Sequence, residues 1–231
     1  MVWRIDGWHR QASPLLLCEA SLRCVARGAW GWSLVLNFEY IIVKTSTGNF
    51  RKTCQRVSKP GDAHELTFSC YRNQPFLKAE RTCRYLVDAI EKVRRKHNFS
   101  LWAYVFIPNH VHLLICPNQQ QYSISAILAS IKQSTARRAL NYLRKENLAG
   151  LKQLATGQPD SPYRFWQDGG GYDRNINHPD TLLKTIRYIH ANPIRKGLVE
   201  LTEDWYYSSA GEWQKPGSGP MRIDFDTWPI P

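Results

Sequence analysis

The chain has 231 residues, 43% of them hydrophobic, which is enough for one good core with appendages and places it among globular proteins. Lysine and arginine outnumber aspartate and glutamate by 31 to 19, a net charge of +12, so a polyanion is the simplest partner, although such charge also serves solubility alone. Six cysteines without a C-x-x-C pair exclude a zinc ribbon or dithiol redox motif, and the apolar patch at 14–18 is too short for a signal sequence or a membrane span, so the protein is expected in the cytoplasm and off the membrane.

Residues 1 to about 60 have weak periodicity, one strand-like run at 38–43, and nine arginines and lysines against three acids. They are expected to be a basic N-terminal extension, a composition more often found in disordered arms than in domains. After a turn at 58–61, residues 64–71 alternate Leu66, Phe68 and Cys70 with Glu65, Thr67 and Ser69, the pattern of a half-buried strand. Residues 78–97 place Tyr85, Leu86, Ala89, Ile90 and Val93 at helical spacing, and Arg94, Arg95, Lys96 and His97 suit the negative end of that helix. A hairpin follows, with strands at 101–107 and 110–116 joined through Pro108-Asn109.

Ser123 is placed to cap a long amphipathic helix reaching about residue 147, with Ile124, Ile127, Leu128, Ile131, Leu140 and Leu143 on one face. The other face shows Lys132, Arg137, Arg138, Arg144 and Lys145. A solvated face is the usual meaning of such charges, and Arg137 and Arg138 are also candidate contacts to a DNA backbone. Residues 148–162 form a connector, 163–167 a short strand and Asp168-Gly-Gly-Gly171 a flexible turn. His178-Pro-Asp180 opens a last helix, which Pro193 ends. The order strand, helix, strand, strand, helix, strand, helix predicts an α+β fold of the ferredoxin-like kind, an antiparallel sheet with helices on one face. The core unit spans 61–208 and is followed by a 209–231 tail; Trp205, Tyr206, Tyr207 and Trp213 are expected to pack back on the core, with stacking on bases as the other reading.

Within the hairpin, His110 and His112 are two apart on a strand and so present their imidazoles side by side. Two readings are open: core histidines satisfied by nearby carbonyls, or half of a metal site. On the last helix, Tyr188 and Asn192 are one turn apart and share a face. Alone, such a pair serves packing and capping; beside the histidines it completes a set of two imidazoles, one amide oxygen and one phenol.

Tyr104-Val-Phe-Ile-Pro-Asn-His-Val-His-Leu-Leu-Ile115, with Phe165-Trp-Gln167 and Tyr188-Ile-His-Ala-Asn-Pro-Ile-Arg-Lys-Gly-Leu-Val199, resembles the single-tyrosine HUH transposases, and within them the REP-associated tyrosine transposases. The likeness covers about residues 61–208. It implies an HUH nuclease fold that cuts and rejoins single-stranded or hairpin DNA, as monomer or homodimer. It also implies Tyr188 as nucleophile and His110, His112 and Asn192 as ligands of a divalent metal, Mg²⁺ or Mn²⁺; Arg195 and Lys196 join Arg137 and Arg138 as candidate phosphate contacts. The insertion-sequence branch commonly has glutamine as third ligand, so Asn192 favours the REP-associated branch. The triple glycine after Asp168 departs from relatives that carry bulkier or basic residues there.

A divalent cation would neutralise charge on the phosphodiester, and a covalent phosphotyrosine would retain bond energy for rejoining. His190 is turned about 200° from Tyr188 on the helix and is a poor general base. Tyr172, after the glycine turn, is a rival nucleophile that lacks an amide at i+4. A non-catalytic nucleic-acid-binding protein of the same fold is the alternative function.

Overall fold

The computed structural model describes residues 40–44, 50–54 and 58–229. Within the expected N-terminal extension, β1 (Tyr40–Lys44) pairs antiparallel with β2 (Phe50–Cys54). The strand-like run thus forms a strand, and a second one follows it whose charged sequence gave no signal. The remainder of residues 1–57 lies outside the described residues.

The main sheet is built from β3 (Ala63–Ser69), β4 (Phe99–Ile107), β5 (His110–Pro117) and β6 (Tyr172–Ile176), in the order β4-β5-β3-β6 with every pair antiparallel. β4 is buried at all nine positions, in keeping with a sequence that is apolar but for Ser100. Helix α1 (Glu80–His97) connects β3 to β4, and Asn98 closes it in the left-handed conformation at φ 45°. Helix α2 (Ile124–Glu146) starts where Ser123 accepts a hydrogen bond from the Ala126 amide, as expected of an N-cap. A short helix, α3 (Leu148–Lys152), lies in the connector, and α4 (Pro179–Arg195) follows β6.

Three expectations are corrected. The segment 163–167 makes only isolated bridges, Ala155 with Tyr163 and Cys70 with Trp166, and places Phe165 and Trp166 in the core. The fourth strand is β6, whose polar sequence is satisfied by partners on β3: Asp173 holds His64 at 2.8 Å and Arg174 holds Glu65 at 2.7 Å. Pro193 does not end α4, which continues to Arg195; the one amide bond proline lacks falls in the last turn, where it costs little of the helix.

The third correction concerns layers. Leu66, Phe68, Phe106, Val111, Leu113 and Ile115 form one core with α1 and α2. Ala103, Val105, Ile107, Leu114 and Ile176 form a second with Leu182, Ile186 and Ile189 of α4. Strand alternation gives each cluster its own face, so α4 covers the face opposite α1 and α2 rather than joining them.

The C-terminal segment packs on the outer edge of β4, as expected, and includes α5 (Ala210–Gln214). The Phe106 amide donates to the Tyr207 carbonyl at 2.8 Å, Ser209 to Tyr104 at 2.9 Å, and Asp224 accepts from the Leu101 amide at 2.8 Å. Trp213 donates its indole proton to the Trp102 carbonyl at 3.0 Å. Among the described residues no helix is long and apolar enough to cross a membrane.

Candidate active site

Alternation along β5 decides where the histidines go. Val111, Leu113 and Ile115 point to α1 and α2, so His110 and His112 point with Leu114 to the face that α4 covers. The two rings are 5.0 Å apart between centroids. Burial is the main influence on both: it brings His112 down to about 3, with His110 adding to the effect, and His110 down to about 4, with the Lys196 charge adding to it. Both imidazoles are therefore neutral at pH 7.

Their hydrogen bonds select which nitrogen is available. His110 Nδ1 is 2.7 Å from the Asn109 side-chain oxygen, which can only accept, so Nδ1 carries the proton and Nε2 the lone pair. His112 Nδ1 is 2.8 Å from the Thr67 hydroxyl, which permits the same tautomer. Register puts Thr67 directly opposite His112. Neither Thr67 nor Asn109 was expected at the site. Asn109 stood inside the motif and read as a turn residue, whereas Thr67 gave no signal because its value depends on strand register.

Tyr188 projects from α4 with 41% of its surface exposed. Its ring meets the His112 ring edge-on, 5.6 Å between centroids, and the Arg195 guanidinium carbon is 5.2 Å from its centre. Asn192 is buried one turn on, and its amide nitrogen donates to the Tyr188 carbonyl at 2.8 Å, which commits that nitrogen and leaves the carbonyl oxygen as its remaining lone-pair atom. α4 is fixed to the sheet by polar as well as apolar contacts: Arg174, paired with Glu65, also donates to the Thr185 hydroxyl at 3.0 Å. Burial raises the Glu65 carboxyl, with Arg174 opposing it.

His190 lies elsewhere: Nε2 is 2.8 Å from the Ser209 hydroxyl and the ring packs near Trp213. Arg137 and Arg138 are on α2, across the sheet from the histidines. Arg138 is held by Asp88 at 2.6 Å and covers the Tyr85 ring, and Arg137 is exposed. Tyr172 opens β6 opposite Thr67, so β5, β3 and β6 place His112, Thr67 and Tyr172 in one row on one face.

Among the described residues no group of three His, Cys, Asp or Glu side chains stands together as a cation site. The residue types do fit a divalent ion in kind: two neutral imidazoles, of which His110 offers its Nε2 lone pair and His112 can offer the same, and on the facing helix an asparagine whose side-chain oxygen is left as a donor atom.

An antiparallel α+β sheet whose His-x-His strand faces a helix-borne tyrosine is the arrangement of the HUH fold. The chain belongs to the IS200-like transposase family, whose model, described as "Transposase IS200 like", matches residues 61–192. It is 31% identical over 140 residues to a Haemophilus influenzae protein assigned to the REP-associated tyrosine transposases, across 56% of this chain and 73% of that one. It is 27% identical over 124 residues to the REP-associated tyrosine transposase of Escherichia coli K12, across 54% of this chain and 62% of that one. A solved structure of a REP-associated tyrosine transposase bound to a REP hairpin superposes with a TM-score of 0.54 at 21% identity, over 68% of this chain and 82% of that one. That likeness shows the fold.

Proposed function

We propose that this protein is a metal-dependent, site-specific single-strand DNA nickase and strand transferase, with residues 61–208 as the catalytic unit and hairpin-bearing DNA as substrate. The observation that carries this reading is the 5.6 Å approach of the Tyr188 and His112 rings within one chain, which supports a tyrosine and histidine pair acting together in cis. The hairpin bound by the solved relative supports the choice of substrate.

Tyr188 Oη attacks a backbone phosphorus, forming a phosphotyrosine bond as the bond to the 3′-oxygen breaks; the phenol loses its proton and the departing oxygen gains one. A free 3′-hydroxyl reverses the step, so no external energy source is needed. His110, His112 and Asn192 are the residues that would hold Mg²⁺ or Mn²⁺, which when bound supplies charge neutralisation at the phosphate. Imidazole ligands favour Mn²⁺ at least as much as Mg²⁺. Arg195, stacked beside the phenol, and Lys196, close enough to depress His110, would hold the phosphate that Tyr188 attacks. Arg137 and Arg138 would contact DNA passing over the opposite face.

The test is incubation with hairpin oligonucleotides carrying randomised unpaired flanks, with Mn²⁺, and a denaturing gel for covalent protein–DNA adducts. Wild-type protein forms the adduct, and Tyr188→Phe abolishes it while binding stays largely intact. An adduct undiminished in Tyr188→Phe overturns the nucleophile assignment, and binding without any wild-type adduct decides for the non-catalytic alternative.

A further inference from the structure

β3 and the chain that faces it fall out of step beside the histidine pair. The Gln167 amide donates to the Ser69 carbonyl at 2.8 Å, and Tyr172 is paired with Thr67. β3 therefore moves on by two residues, from Ser69 to Thr67, while the facing chain uses five, from Gln167 to Tyr172. Residues 168–171 thus face Phe68 alone, three more than the register needs, and make a detour there. Gly171 makes this possible: it stands at φ +73°, and a Cβ there would come 2.2 Å from the Thr67 carbonyl oxygen.

The detour opens a recess of about 200 Å³ at the edge of β3, lined by Thr67, Phe68 and Ser69 of that strand and by Gln167, Asp168, Gly171 and Tyr172 of the facing chain. Lys132 reaches its rim from α2 and donates to the carbonyls of Gln167 at 3.0 Å and Gly169 at 2.9 Å, which holds the loop open and brings a cation there. The recess is smaller than the ~300–1,000 Å³ typical of drug-sized ligand sites. Its fittings are an exposed aromatic ring, backbone and side-chain amides, and a positive charge. Those are the groups that accept an unpaired base and its phosphate.

Its position relates it to the reaction. Tyr172, Thr67 and His112 stand in one row across neighbouring strands, which puts Tyr172 about 10 Å from His112 at the usual strand spacing. Tyr188 meets the His112 ring directly, whereas Tyr172 stands two strands along the sheet from it, in position to meet the neighbouring nucleotide of the same strand. We propose that the recess formed by residues 167–172 binds the unpaired nucleotide next to the scissile phosphate, with that base stacked on Tyr172. The inference rests on the single-strand DNA reading above and names a subsite for it.

The experiment uses the full chain and a cleavable hairpin oligonucleotide recovered from the randomised-flank library, with 2-aminopurine placed in turn at each flanking position. With wild-type protein the fluorescence falls at one position adjacent to the cut. Tyr172→Phe keeps the quenching and the adduct. Tyr172→Ala loses the quenching at that position and weakens binding of the flanked hairpin by about 5- to 140-fold, while binding of the same hairpin without its flank is unchanged. Wild-type quenching and affinity retained in Tyr172→Ala overturn the subsite and leave the nuclease reading standing. Equal losses with and without the flank reduce Tyr172 to a structural role and also overturn it. Loss of the adduct in Tyr172→Phe but not in Tyr188→Phe makes Tyr172 the nucleophile, and both assignments fall. If no flanked hairpin binds the wild-type protein, the DNA reading fails and the subsite with it.

Discussion

At His112 and His110 the protein holds one ring nitrogen, Nδ1, in a hydrogen bond. Thr67 at 2.8 Å and Asn109 at 2.7 Å both address Nδ1, so each ring is held in orientation with Nε2 turned away from the hydrogen bond. Such partners typically change metal affinity 10- to 100-fold when removed. Thr67→Val is expected to weaken Mn²⁺ binding by roughly that factor, measured by titration of the free ion signal in electron paramagnetic resonance, and Thr67→Ser to restore most of it. Equal affinity in wild type and Thr67→Val would show that the hydroxyl orients nothing. Thr67 marks the limit of what a single sequence discloses. His110, His112, Tyr188 and Asn192 are detectable because their spacing along one element implies a shared face. Thr67 meets His112 through the pairing of two strands 45 residues apart, and a slip of one residue in that register would turn the hydroxyl to the other face.

At the scale of elements, α4 is both the carrier of Tyr188 and the cover of one sheet face. Leu182, Ile186 and Ile189 sit on Val105, Ile107 and Leu114, while Thr185 takes the polar contact to Arg174. Ile186 is 4% exposed, and Ile186→Ala is expected to cost about 2–5 kcal/mol, seen as a lower urea midpoint with an unchanged slope. A shift well below that range would mean the helix can settle into the space. The helix itself was legible from its apolar spacing, as were α1, α2 and the hairpin. Its side of the sheet was not, because periodicity tells how wide a buried stripe is and not which layer it joins. β6 was missed for a different reason. Asp173 and Arg174 are partnered by His64 and Glu65, so a sequence that looks solvated becomes a strand through contacts with residues far away.

Across the whole molecule, the described histidines with strongly lowered values set an acid limit. His110 and His190 stand at about 4 and His112 at about 3, in each case chiefly through burial, while an unfolded imidazole titrates near 6.5. Between those values the unfolded chain binds protons that the folded one refuses, so stability is full above about pH 6.5 and falls as the pH drops toward 4. Urea unfolding at pH 7 and pH 5 should show a lower midpoint at pH 5, and His190→Gln should lessen the drop. A drop as large in that variant would assign it to other groups.

The C-terminal hold on β4 has a temporal side. Leu101 must wait for Asp224, 123 residues later, before its amide finds its acceptor. At ~5–20 residues per second of synthesis that interval is about 6–25 s, during which the most apolar strand of the sheet already exists with its outer edge uncovered. On the ribosome, the danger of wrong strand pairing is therefore concentrated in the time between β4 and the last residues that complete it, a stage at which the histidine pair has been made and the tyrosine that faces it has only just emerged.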